Sequence, residues 1–230
     1  MRHLDLFSGI GGFALAAQWA GFKTVAFCEI EDFPVKVLNK NFPGVPVHRD
    51  IRELDGSEYA GVELITGGYP CQPFSVAGKR KGQEDDRHLW PEMLRIITQA
   101  RPSWVVCENV YGHVSLGLDE VLADLEREGY AARSFVVPAC ASGADHRRDR
   151  VWILANAAGG GKQQSSAWGN VGGLQSEILR KSWNPSHFKI EPRADRVADG
   201  VPNRVDRLRG LGNAIVPQVA YQLLRCIGAV

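Results

Sequence analysis

Apolar and polar positions along the chain switch between two periods. Residues 3–7 form a short apolar run that stops at Ser8-Gly9-Ile10-Gly11-Gly12, and residues 14–19 then follow helical spacing. Residues 23–28 are β-like and end in Glu29, Glu31 and Asp32, ahead of a helical pattern over 33–42. Residues 62–66 read as a strand ending at Gly67-Gly68, and residues 88–100 as a helix with Pro91 in its first turn. A further strand is expected at 104–108, a helix at 116–128, and β-like stretches at 130–137 and 150–155. An apolar helix over 214–227 opens at Gly212-Asn213. Strands alternating with helices in this way predict an α/β fold, its parallel or mostly parallel sheet covered by helices on both faces. Functional groups in such sheets gather at the carboxyl ends of the strands, where the chemically interesting residues of this chain fall.

Composition narrows the class. The chain has 230 residues, 44% hydrophobic and 23% charged, a balance that excludes a mainly disordered, collagenous or disulfide-stapled protein. Its formal charge of +1 is unevenly placed: residues 1–161 carry a net −4 and residues 162–209 a net +4. A polyanionic partner is therefore expected to favour the C-terminal third. The five cysteines are widely spaced with no C-x-x-C pair, which speaks against a zinc site or a disulfide framework and for a reducing, cytoplasmic compartment. The apolar stretch 10–22 is broken by glycines, follows Asp5 and is too short to span a bilayer, so neither an export signal nor a membrane anchor is expected. From 156 to about 200 the periodicity dissolves. Residues 159–173 contain six glycines among Ser, Gln and Asn, a linker's composition, yet Trp168, Arg180, Lys181, Trp183 and His187 exceed what a linker needs.

Two loops carry candidate chemistry. The segment Asp5-Leu6-Phe7-Ser8-Gly9-Ile10-Gly11-Gly12-Phe13 lies between a strand and a helix, where glycines admit close approach of a ligand to the backbone. It reads G-x-G-G rather than G-x-G-x-x-G, and Asp5 is a poor neighbour for a pyrophosphate. Glu29 ends the next strand, suited to a ribose diol, and Asp50-Ile51 ends the third strand region, where it can meet an adenine edge. Together these indicate a nucleoside without phosphates, such as S-adenosylmethionine; a plain glycine-rich turn with exposed acids is the bland alternative. In Gly67-Gly68-Tyr69-Pro70-Cys71-Gln72-Pro73-Phe74-Ser75, two prolines straddle Cys71 and stiffen its loop. A thiol with a reference pKa of about 8.5 needs nearby positive charge to ionise. Lys79, Arg80, Lys81 and Arg87 follow it, and Arg147, Arg148 and Arg150 are available from elsewhere. Cys71 is the candidate nucleophile; Cys28, Cys107, Cys140 and Cys226 lie in apolar stretches and are expected to be small buried hydrophobes.

The order Asp5–Phe13, Pro70-Cys71-Gln72, Glu108-Asn109-Val110, Arg148-Asp149-Arg150 and Gly212-Asn213-Ala214 resembles the cytosine-5 DNA methyltransferases of bacteria and phages, over roughly residues 1–155 and 200–230. The resemblance implies a Rossmann-like sheet that uses S-adenosylmethionine, releases S-adenosylhomocysteine and needs no metal. It implies that the Cys71 thiolate adds to C6 of a cytosine swung out of double-stranded DNA, that Glu108 holds N3 and the exocyclic amine, and that Arg148 and Arg150 orient the base and its sugar-phosphate. A carboxylate that shares a proton with N3 is expected to have a raised pKa. For Arg147 a plain basic patch is preferred. For the cofactor the resemblance implies Phe7, Gly9, Gly11, the Glu29 ribose contact, Ile30 against the adenine, Asp50 with Ile51 at its rim, and Asn213 closing the pocket. Residues 75–87 correspond to a loop closing over Cys71, in which Ser75, Lys79, Arg80, Lys81 and Arg87 meet phosphates. The implied partners are duplex DNA and a cognate restriction enzyme, with no membrane, for a cytoplasmic monomer.

Three departures from the family pattern stand out. Ile30 replaces an aromatic that relatives often carry, and His146 replaces a Gln at the head of the arginine motif. Only about 45 residues remain for target recognition, too few to present many base-reading side chains. The expected division is a catalytic, cofactor-binding domain at 1–155, an abridged target-recognition segment at 156–200, and a C-terminal segment and helix at 201–230 that returns to the first domain. Two other readings stay open: methylation of a tRNA cytosine, which keeps the chemistry, and a non-catalytic nucleic-acid-binding relative.

Overall fold

A computed structural model describes residues 1–70, 89–144, 147–157 and 210–228. Seven strands form one sheet: β1 (Arg2–Leu6), β2 (Lys23–Cys28), β3 (Val47–His48), β4 (Leu64–Gly67), β5 (Trp104–Val110), β6 (Tyr130–Val137) and β7 (Arg150–Ala157). Their order is β3-β2-β1-β4-β5-β7-β6. β1 pairs in parallel with β2 on one side and β4 on the other, and β5 continues in parallel beside β4. β7 runs antiparallel between β5 and β6. The mostly parallel sheet therefore ends in an antiparallel pair. The connection 138–149 holds a 3-10 turn (Ala139–Ser142) where a crossover helix would be needed to bring β7 back in parallel.

Helices α1 (Gly12–Trp19), α2 (Asp32–Asn41), α3 (Trp90–Ala100), α4 (Leu118–Arg127) and α5 (Pro217–Gly228) cover the sheet. Alternation along the strands sorts side chains to the two faces. Val105 and Cys107 of β5 join Leu4, Leu6, Met93, Ile97 and Leu125 in one core cluster, beneath α3 and α4. Trp104 and Val106 join Phe13, Ala17, Trp152, Val219, Leu223 and Leu224 in the other, beneath α1 and α5. The last helix packs on the first: Trp19 meets Tyr221 edge-on, and Phe13, itself edge-on to Trp152 of β7, shares its cluster with Val219 and Leu223. The expected start of that helix at residue 214 is displaced. A helical turn ends at Asn213, residues 214–216 are irregular, and α5 begins at Pro217, whose missing N–H suits a first turn.

A polar chain threads the apolar interior. His3 of β1 sits between two hydroxyls, with Nδ1 2.9 Å from Thr24 Oγ1 and Nε2 2.8 Å from Thr66 Oγ1. Thr66 in turn donates to Asp5 Oδ1 at 2.8 Å. His3, Asp5 and Thr66 are each fully buried. Burial holds His3 neutral, its pKa lowered to about 3, and pushes the Asp5 carboxyl well up, the Thr66 bond opposing the shift. Removal of the Thr66 hydroxyl would deprive buried Asp5 Oδ1 and His3 Nε2 of the side-chain partner they share. Thr66→Val is expected to destabilise the fold by about 1–3 kcal/mol in urea unfolding; an unchanged midpoint would show that the chain contributes nothing.

Candidate active site

β1 is the strand at which the sheet order reverses, with β2 and β3 to one side and β4 and β5 to the other. Such a switch point opens a crevice at the carboxyl ends of the strands. A cavity of about 700 Å³ lies there, a size that suits a nucleoside plus a base.

The glycine loop forms one wall. Phe7 adopts φ 52°, an uncommon left-handed value for a residue with a side chain, and lines the cavity. Ser8 donates its hydroxyl to the Asp5 carbonyl at 2.7 Å and pins the turn. Gly9 faces open space, so its requirement is conformational, φ 52°. Gly11 is different: a Cβ there would lie 2.7 Å from Phe42, behind the loop, and the residue does not line the cavity. Its part is to let the loop pack on α2.

Glu29 ties two loops together. Its Oε2 accepts from Gly9 N at 2.7 Å and its Oε1 from Glu31 N at 2.8 Å. Each oxygen keeps a lone pair for a further donor. Burial raises its pKa, opposed by these amides. Ile30 is held outward, 61% exposed, because Arg49 grips its carbonyl at 2.6 Å and Asp32 at 2.6 Å. Asp50 accepts from Arg52 N at 2.9 Å, and buried Ile51 gives its carbonyl to Arg95 at 2.7 Å. The fit to an adenosine moiety rests on these groups: a carboxylate with two free acceptor sites, an apolar side chain facing the cavity, and a second carboxylate at its rim. Arg49 and Arg95, which shape this wall, escaped sequence reasoning, since nothing local marks Arg95 as a partner of residues 51 and 54.

The opposite wall comes from β4, β5 and β7. Glu108 is buried at the end of β5, where its Oε1 accepts from Arg150 Nε at 2.9 Å. Burial pushes its pKa to about 7, against the pull of Arg150 and Arg148. Gly68, on the β4 exit, lies beside this carboxyl: a Cβ there would stand in ordinary contact, 3.7 Å from Glu108 Oε2. Arg148, with φ 36°, donates from Nη2 to the carbonyls of Gly212 (2.7 Å) and Ala214 (2.8 Å), while its buried Nε has no partner among the described residues. It therefore holds the segment that carries Asn213 against the cavity. Arg147 pairs with Asp149 at 2.9 Å on the surface. Cys28, Cys107 and Cys226 are buried, and burial pushes the Cys28 thiol to about 12. Cys140 departs from the expectation: it is exposed, on a 3-10 turn that buries Ala139 and Ser142 instead. Pro70 lines the cavity. Cys71, Ser75, Lys79, Arg80, Lys81, Arg87 and His146 lie outside the described residues, as does nearly all of 156–200; β7 itself continues to Ala157.

Strand order and site together define a Rossmann-like methyltransferase fold. Residues 1–197 match the family model of the C-5 cytosine-specific DNA methylases, and the chain belongs to that family. It is 34% identical over 157 residues to the type II methyltransferase M.NgoMIV of Neisseria gonorrhoeae, covering 66% of this chain and 50% of that protein. To M2.BsuMI of Bacillus subtilis it is 36% identical over 168 residues, covering 68% and 42%. Among solved structures it resembles the Dnmt2 methyltransferase of S. pombe at 26% identity, with a TM-score of 0.60 over 70% of this chain and 52% of that one. The chain spans half or less of the length of these curated relatives.

The buried acid makes a prediction about stability. Folded Glu108 holds its proton up to about pH 7, whereas an unfolded chain releases it near roughly 4.3. Between those values the folded state binds more protons, so stability falls as pH rises, and the penalty is complete above about 7. Glu108→Gln lacks this penalty. Urea unfolding at pH 5 and 7.5 is expected to show wild type losing on the order of 2–3 kcal/mol more than the variant. Asp5 and Glu29 are common to both proteins, so equal losses would place the ionisation elsewhere.

Proposed function

We propose that the chain transfers a methyl group from S-adenosylmethionine to C5 of a cytosine swung out of double-stranded DNA. The observation that carries this reading is Glu108: a buried carboxyl, proton-retentive near neutral pH and steadied by Arg150, on the wall of a cavity whose other wall presents Glu29 and Ile30. Bound S-adenosylmethionine would supply an electrophilic sulfonium methyl. Glu29 would accept hydrogen bonds from the ribose hydroxyls, Ile30 would lie against the adenine, and Asp50 with Ile51 would border it. The resemblance assigns Cys71 the attack: its thiolate adds to C6, and the electron pair moves to C5, which takes the methyl. Glu108 donates a hydrogen bond to N3 as negative charge develops on the ring, and accepts one from the exocyclic amine. Loss of the C5 proton and departure of the thiolate restore the aromatic ring. Arg150 keeps Glu108 aimed, and Arg148 acts by holding the Asn213 segment. Ser75, Lys79, Arg80, Lys81 and Arg87 are proposed to meet phosphates, with the basic 162–209 stretch alongside them on DNA.

Duplex DNA containing 5-fluorocytosine, which cannot lose a C5 proton, is expected to trap a covalent complex in the presence of S-adenosylmethionine. Cys71→Ala abolishes the complex, and Glu29→Ala weakens S-adenosylmethionine binding about tenfold by calorimetry. Parallel incubations with methyl-labelled S-adenosylmethionine on unmethylated genomic DNA and on tRNA separate the two substrates. Methyl transfer by Cys71→Ala would falsify the nucleophile, and binding of nucleic acid with no transfer to either would favour the non-catalytic reading.

A further inference from the structure

Backbone pairing between β4 and β5 ends at Gly67 and Cys107, one residue before Glu108 and four before Cys71. Beyond that point side chains take over the alignment of the two strand exits. Asn109 Nδ2 donates to the Tyr69 carbonyl at 3.1 Å, and Asn109 Oδ1 accepts from Val110 N at 2.9 Å. The Tyr69 hydroxyl and His113 Nε2 lie 2.8 Å apart, a bond spanning 44 residues of chain between two buried side chains. The Tyr69 ring also packs at 5.1 Å against Trp90, whose Nε1 donates to Asp124 on α4 at 2.8 Å. Gly117 leaves the imidazole its room, since a Cβ there would come 3.2 Å from His113 Cε1. Burial lowers the His113 pKa and so favours the neutral ring, which has one accepting and one donating nitrogen.

We propose that Tyr69 and His113 are positioning residues, a brace that fixes the backbone leading through Pro70 into Cys71 against the segment carrying Glu108 and Asn109. The proposal rests on the reaction proposed above, in which thiol and carboxyl work on one ring from adjacent strand exits. A misplacement of about 1 Å between such groups costs on the order of 100-fold in rate. The hydroxyl is the component that fixes the spacing: a phenylalanine at 69 would fill the same volume and pack on Trp90 without holding the turn at 111–115.

The test has two arms. In single-turnover methyl transfer with protein in excess, Tyr69→Phe is expected to slow the rate about 10-fold to 100-fold, while S-adenosylmethionine affinity stays within about twofold. His113→Leu gives a similar loss, the double variant is no slower than either single one, and His113→Gln, whose amide reaches the Nε2 position, recovers much of the rate. In hydrogen exchange on the ligand-free proteins, Tyr69→Phe is expected to speed exchange of amides 110–116, on the other side of the missing bond. A wild-type rate in Tyr69→Phe, losses that multiply in the double variant, or unchanged exchange at 110–116 would each overturn the brace. A wild-type chain that neither methylates cytosine nor forms the 5-fluorocytosine complex would instead defeat the proposed reaction, and the exchange arm would still decide the brace.

Discussion

A strand hydrogen-bonded on both sides by parallel neighbours has its carboxyl end crowded by two other carboxyl ends, and the connections leaving them must part in opposite directions. β1 is that strand. Its exit turns into the glycine loop, while β2, ending at Cys28, leads into Glu29 and β4, ending at Gly67, leads into Gly68. The cavity is the space those diverging connections leave. The polar chain from Thr24 through His3 and Thr66 to Asp5 crosses these same three strands. It joins β2, β1 and β4 by side chains as well as by the backbone ladder.

Three carboxyl groups around that crevice share one cause of pKa perturbation and differ in what it achieves. Burial raises Asp5, Glu29 and Glu108 alike. Asp5 lies below the loop and is bonded to Thr66. Glu29 receives two backbone amides, which tie the Gly9 and Glu31 loops together and leave its outer lone pairs facing the cavity. Glu108 has a guanidinium for a neighbour, enough to orient the group while its pKa still stands near 7. A ligand entering the cavity would meet an acceptor on one wall and a group able both to donate and to accept on the other.

Arginines do much of the positioning. Arg49 holds the Ile30 backbone, Arg95 the 51–54 turn, Arg148 the Gly212–Ala214 segment and Arg150 Glu108. A guanidinium offers several donors in a plane: Arg95 and Arg148 each use theirs to hold two backbone carbonyls of a distant segment, while Arg150 joins side chains across the β5–β7 pair.

Local pattern determined the elements in this protein. Alternation and helical spacing placed β1, β2, β4, β5 and the helices close to where they lie, and the glycine loop, Glu29, Glu108 and the arginine pair were legible because their chemistry sits beside recognisable strand ends. Tertiary structure alone decided that β7 inserts antiparallel, that Gly11 serves packing rather than the cavity, that Cys140 is exposed, and that Arg148 grips the Gly212 and Ala214 carbonyls. The same holds for the pairing of Tyr69 with His113 across 44 residues. The reason is one of range: period and turn chemistry are set by neighbours a few residues away, whereas a side chain's partner is whichever distant segment the sheet order carries to it.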